Sequence, residues 1–317
     1  MPEPALRPAR QRPADKTLLT IVLLLLGEGG NTALPTIYMS KGQRLYMNGN
    51  ANLVAAQMTL CIVLGLIMLV TQRRAAVRAL YALAVVAEYV VLALTDSQTS
   101  LIATGLGTGV VAMVLIWRIT RGKNPWLRFM VGLAALAVAS ATVFFGRDLV
   151  FAVARQLISG LKSPQARTAL ADDTNVVARV EVWLVALRAL RSNAFLFFFG
   201  STPIAVNSVI SLYSGGKYAI YTHNQFCEIG VSLGVPALLL YTLWLVYLAR
   251  HSLRAGLAPQ GRVPLAVRLL PAALLALVVG NLMEARLLFF TLYTYTGSFF
   301  FLLAGYAIED STALQKP

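Results

Sequence analysis

Long apolar runs alternate along the chain with short clusters of charged and turn-forming residues. Eight runs approach the roughly 20 residues that a helix needs to cross a bilayer. They cover about 17–38, 52–71, 79–96, 99–117, 127–145, 226–249, 265–283 and 287–308. The first has eleven apolar-leaning residues, then a Gly/Asn-rich stretch and Pro35, which predicts a broken or tilted helix. The last two are joined by a very short turn near Glu284 and Arg286. Between 146 and 225 the pattern changes to shorter amphipathic pieces. Over 148–162, Val150, Val153, Leu157 and Leu161 share a face while Arg155 and Lys162 fall elsewhere. That suits an interfacial helix or one packed on the spans. A further helix is predicted over 176–191, opened by Asp172, Asp173, Thr174 and Asn175 as capping residues. Val180, Trp183, Leu184 and Leu187 form its apolar stripe, and Arg179 lies near its first turn.

The predicted fold is therefore all-α: a polytopic transmembrane helical bundle of about eight spans, with one long loop carrying helices. It divides into a basic tail (1–16), spans one to five (17–145), the loop (146–225), spans six to eight (226–308) and a second tail (309–317).

The basic residues orient this scheme. Sixteen of them, in the tails and in the connections after spans two, four and six, fall on one side; Lys41, Arg44 and Arg286 fall on the other. The positive-inside bias makes the first side cytoplasmic, with both termini there and the long loop outside. Arg7, Arg10, Arg12 and Lys16 before the first apolar run superficially resemble a signal peptide. No small-x-small cleavage pattern follows, so the run is read as a retained span.

Composition supports the membrane reading. Hydrophobic residues make up 58% of the 317 and charged residues only 13%, about half the share of a soluble domain. A soluble fold could not hide so much apolar surface, and a disordered chain would not carry it. The net charge of +14 then reflects topology, and no nucleic-acid partner is implied. Cys61 and Cys227 lie in or beside apolar runs without metal-ligand spacing, so both are read as small buried hydrophobes.

Candidate chemistry is sparse. No P-loop, HExxH, GxSxG or CxxC pattern occurs. His251 sits in a basic cytoplasmic run; His223 sits at the outer mouth of the sixth span, where an imidazole is a usable general base. A hydrogen-bonded loop histidine is the plainer alternative. Arg179 combines a phosphate-matching guanidinium with a helix start, or anchors its helix at the headgroups. Asp172 and Asp173 are caps before they are metal ligands. Glu28, Glu88 and Glu284 lie in or near spans, where carboxylates serve function or pair with a neighbour, as Glu284 could with Arg286.

Several stretches resemble a known family. His223-Asn224-Gln225-Phe226-Cys227, followed by Leu233-Gly234-Val235-Pro236-Ala237-Leu238-Leu239, is similar to the HN-x-[FY]-L … LG-[IV]-x-G-L-L signature of the O-antigen ligase and O-antigen polymerase superfamily. Asn48 to Ala55, Thr95 to Leu101, and Arg179 to Trp183 followed by Phe198-Phe199-Gly200 resemble three further segments of that superfamily, in order. The resemblance implies transfer of a glycan from an undecaprenyl diphosphate carrier to a hydroxyl acceptor, a glycan or glycolipid. It implies a bacterial inner-membrane protein with its active site on the outer face and no nucleotide or metal cofactor. Carried over by motif, His223 would activate the acceptor, Arg179 would bind the diphosphate, and Asn224 would orient His223 or contact sugar. Two positions depart from the pattern: Gln98 stands where the family has Arg, and Ser232 where it has an acidic residue. Gln98 could still hydrogen-bond phosphate, with Arg188, Arg191 or Arg286 as a second positive group beside Arg179. Inversion at the sugar is expected, since no carboxylate pair suggests a covalent intermediate. A lipid-linked glycan transporter and a non-catalytic membrane subunit are the other readings.

Overall fold

In the computed structural model of the chain, the described residues are 37–40, 44–47, 51–120, 122–157, 176–257, 264–282, 302–306 and 308. They begin with a short antiparallel hairpin, β1 (Ile37–Ser40) and β2 (Arg44–Met47), in which Ile37 pairs with Met47 and Ser40 with Arg44. Helices follow: α1 (Ala51–Thr71), α2 (Ala75–Thr95), α3 (Gln98–Ile119), α4 (Pro125–Leu157), α5 (Val176–Ser192), α6 (Ala194–Phe199), α7 (Val206–Tyr213), α8 (Gln225–Leu257) and α9 (Leu265–Asn281). A 3-10 turn, Pro203–Ala205, precedes α7.

The helical membrane bundle stands, with corrections at its margins. Five described helices are long and apolar enough to cross a membrane: α1, α2, α3, α4 and α8. α9 is apolar but has 17 residues, about 25 Å of helix. The first predicted span lies outside the described residues except for its end, where Ile37 and Tyr38 are strand rather than helix. Of the last predicted span, 302–306 are helical. α4 runs to Leu157 without interruption. The separate interfacial helix expected from 148 is, as far as it is described, the continuation of the fifth span.

Close approach between helices needs small residues, because lipid tails supply no hydrophobic drive for helix association. α3 supplies them on two faces. A Cβ on Gly109 would come 2.9 Å from the Leu136 carbonyl oxygen of α4, and one on Gly105 3.2 Å from that of Ser140. Ser140 Oγ also donates to the Gly105 carbonyl at 3.0 Å. On the other face, a Cβ on Gly107 would meet Val63 of α1 at 2.7 Å and Ala276 of α9 at 3.1 Å. A hydroxyl ladder reinforces the contact: Thr104 Oγ1 donates to Thr59 Oγ1 at 2.9 Å. The main core is then Leu60, Val63, Leu64 and Ile67 of α1 against Leu269, Ala273, Ala276 and Leu277 of α9. By contrast α2 and α4 leave Leu83, Val86, Val138 and Phe145 uncovered, as helices on the lipid side of a bundle do.

Candidate active site

The loop helices and the start of α8 form a second core. Val182, Val185, Ala186, Ala189 and Leu190 of α5 pack on Leu196, Val206, Ile210 and Val231. The expected helix is present, but of its predicted stripe Val180, Leu184 and Leu187 point outward and only Trp183 is turned in. Those three are exposed, while Val182, Val185, Ala186, Ala189 and Leu190 pack inward. Arg179 lies on the inward face, 7% exposed, in the first turn of α5.

α8 is interrupted where it leaves this core. Gly234 has φ 85° and ψ 167°, a region that residues with a Cβ enter only under strain. A Cβ there would stand 2.6 Å from the Phe198 carbonyl oxygen. The distortion, together with Pro236, which has no N–H, leaves two carbonyls of the preceding turn without helical donors. Ser201 N donates to Val231 O at 2.8 Å and Thr202 N to Ser232 O at 2.9 Å. The Phe198-Phe199-Gly200 and Leu233-Gly234 motifs are thus two halves of one backbone junction.

The turn carrying His223 is built from four ties. Thr222, wholly buried, donates its N–H at 3.1 Å and its hydroxyl at 2.7 Å to Glu228 Oε2. Its carbonyl accepts from Trp183 Nε1 at 2.8 Å. Asn224 caps α8: its Oδ1 accepts from Phe226 N at 2.9 Å and Cys227 N at 3.2 Å, as N-cap side chains do. Its Nδ2 donates to Leu282 O at 2.9 Å, just past α9. Between these ties His223 takes a left-handed conformation, φ 51°, which histidine tolerates better than most residues. Its ring stands edge-on to Tyr221, centroids 5.6 Å apart. Arg179 precedes Trp183 by one helical turn, on the helix that the Trp183–Thr222 bond ties to the His223 turn.

A surface tie supports the same loop. Glu181 receives both Lys217 Nζ, at 2.5 Å, and the Tyr218 hydroxyl. These hydrogen bonds, Lys217's first, hold the Glu181 carboxyl below its ordinary range, and the bond to Glu181 raises the Lys217 ammonium above its own.

The other expected phosphate ligands are not gathered here. Arg188 and Arg191 are exposed and lie nine and twelve residues beyond Arg179, about 13 and 18 Å along the helix. Gln98 opens α3 and is exposed. Arg286, Glu284, Asp172 and Asp173 lie outside the described residues. His251 is buried against Tyr247, ring centroids 4.2 Å apart. Glu88 faces α1, where a Cβ on Gly65 would come 3.7 Å from its Oε2.

Sequence reasoning missed Glu228 and the pair Asp96–Arg147. Asp96, left-handed at φ 49° and buried, meets Arg147 of α4 at 3.3 Å. Arg147 also meets Asp148 at 3.2 Å. One guanidinium against two carboxylates makes a tie between the α2–α3 turn and α4, not a cradle for an anion. The signal for Glu228 was available: a carboxylate five residues after His223, inside an apolar run, needs a reason.

These features define a helical membrane protein whose candidate residues lie on a loop helix and at the start of a capped, broken span. Residues 83–242, half of the chain, match the O-antigen ligase family. The chain belongs to that family, whose members are membrane glycan ligases and polymerases. Arg179, His223, Asn224 and Gln98 all fall within the matched region. No curated protein and no solved structure matches the chain.

Proposed function

We propose that the protein moves a glycan from an undecaprenyl diphosphate carrier to a hydroxyl on an acceptor glycan or glycolipid, as an inverting, metal-independent transferase at the outer face of the inner membrane. The observation that carries this reading is the Trp183–Thr222 bond, which joins the buried Arg179 helix to the His223 turn. In the reaction the acceptor oxygen attacks the anomeric carbon while the bond from that carbon to the diphosphate oxygen breaks. His223 takes the acceptor proton. Arg179 meets the negative charge that develops on the departing diphosphate. Asn224 acts through the turn, by holding His223.

The test uses a strain deleted for the gene and complemented with wild type, His223→Ala or Arg179→Ala, each at native expression. Surface glycan and carrier-linked glycan are measured together. A ligase lacking His223 leaves long glycan on the carrier and none on the surface. If only single repeats remain, the chain is a polymerase of the same superfamily. Unchanged pools in both variants overturn the assignment. Arg179→Ala is expected to lower transfer roughly a hundred- to a thousand-fold, the usual loss for a donor aimed at developing charge. Arg179→Lys, with equal charge but no planar fork, is expected to recover little of it.

A further inference from the structure

We propose that residues 194–212 form a re-entrant element embedded in the bilayer, with its uncovered aromatic and aliphatic side chains against lipid acyl chains. The sequence places this stretch in a loop outside the membrane. Its backbone, however, is joined to the inside of a span. α8 is apolar enough to cross a membrane from Gln225 to Gly256, and Gly200 to Thr202 are seated on Val231 to Gly234 by two hydrogen bonds and a glycine-to-backbone contact. Gly234 lies sixteen residues before Arg250, the first basic residue at the far end of that apolar stretch, about 24 Å along the helix and so within a hydrocarbon core of about 30 Å. Non-helical backbone survives at such depth only where its polar groups are met. Here the N–H groups of Ser201 and Thr202 and the carbonyls freed at the break meet one another.

The side chains agree with that depth. Phe199 is 69% exposed and Ile204 94%, and Phe195, Phe198 and Leu212 are uncovered as well. Leu83 on α2, a membrane-crossing helix, is 68% exposed. The same degree of exposure therefore recurs on spans whose outer faces meet lipid. The outward stripe of α5, Val180, Leu184 and Leu187, ends at exposed Arg188 and Arg191. These guanidiniums can reach anionic headgroups while their stems cover apolar surface. This accounts for the outward side of α5: Val180, Leu184 and Leu187 are turned to lipid. The inference is independent of the transfer reaction.

The experiment uses the full chain with both native cysteines replaced by alanine, carrying one nitroxide label. It is reconstituted in vesicles of three parts phosphatidylcholine to one part phosphatidylglycerol. Phe195→Cys, Phe199→Cys and Ile204→Cys are compared with Leu83→Cys as the lipid reference and Lys217→Cys as the water reference. Power saturation with oxygen and with a water-soluble nickel chelate reads the environment, and circular dichroism verifies folding. The labels at Phe199 and Ile204 are expected to resemble Leu83, with oxygen collisions exceeding nickel collisions several-fold. Labels resembling Lys217 overturn the proposal. So does spin–spin broadening that vanishes on dilution with unlabelled protein, which would put a second copy on this face. Should one variant misfold, either of the other two labelled positions decides the question.

Discussion

Replacing Asn224 separates a structural amide from a substrate-binding one. In the structure its two polar atoms are committed to different helices. Oδ1 caps α8 through Phe226 N and Cys227 N, and Nδ2 tethers the turn to Leu282 O. Asn224→Ser keeps a capping oxygen but cannot span to Leu282. Asn224→Ala loses both. The cap contributes about 1 kcal/mol, and the tether between about 0.5 and 1.5 kcal/mol. Asn224→Ser is therefore expected to cost about 1 kcal/mol and Asn224→Ala about 2, the latter a change of roughly thirtyfold in the folded-to-unfolded ratio. The assay is stepwise SDS unfolding in maltoside micelles, followed by circular dichroism, with transfer measured on the same preparations. Transfer should fall in the order wild type, Ser, Ala, because what is lost is the position of His223. An Asn224→Ala protein as stable as wild type would refute the cap geometry. An Asn224→Ser protein with wild-type stability and no transfer would move the amide onto the substrate.

Three further outcomes follow from the same geometry. Gly234→Ala forces a Cβ into a backbone region that it enters only under strain and to 2.6 Å from Phe198 O; a loss of about 3 kcal/mol or more is expected in SDS unfolding, and a stable variant would mean the junction is not rigid. Trp183→Phe removes the donor to the buried Thr222 carbonyl, costing about 1–3 kcal/mol; transfer should fall while Trp183→His, which can donate from its ring, recovers part, as read by turnover on vesicle-bound carrier glycan. The Glu181–Lys217 tie has a defined pH window. A carboxyl held below its ordinary range contributes stability above that range and loses it as pH falls through its lowered pKa; a raised ammonium keeps its contribution until pH rises past the ordinary lysine range. Loosening of the 214–218 loop is thus expected on the acid side, weakened further by salt because the pair is exposed, and amide exchange of Lys217 and Tyr218 would show it; exchange independent of pH after correction for intrinsic rates would refute the tie.

How much was legible beforehand depended on the kind of signal. The spans could be read because each is longer and more apolar than any soluble element, and a helix is the one open structure that satisfies its own backbone in lipid. Arg179 and His223 could be singled out as candidates because the stretches that carry them resemble family motifs, and the family match spans both. The orientation of α5 could not. Its valines, leucines and alanines satisfy more than one helical face, and in a membrane the larger apolar residues need not point inward. Only the packing against Val206, Ile210 and Val231 chooses the face that takes Arg179 inside.

The sequence by itself determined a helical membrane chain, the order of its spans, and the candidates Arg179 and His223, because apolar length and side-chain chemistry are local properties. The tertiary structure alone decided which distant groups meet: Trp183 with Thr222, Asn224 with Leu282, Asp96 with Arg147, and the two glycine motifs with each other. Each of those pairings closes a hydrogen bond, a charge or a backbone contact between segments far apart in the chain, and no periodicity along one segment can name its partner on another.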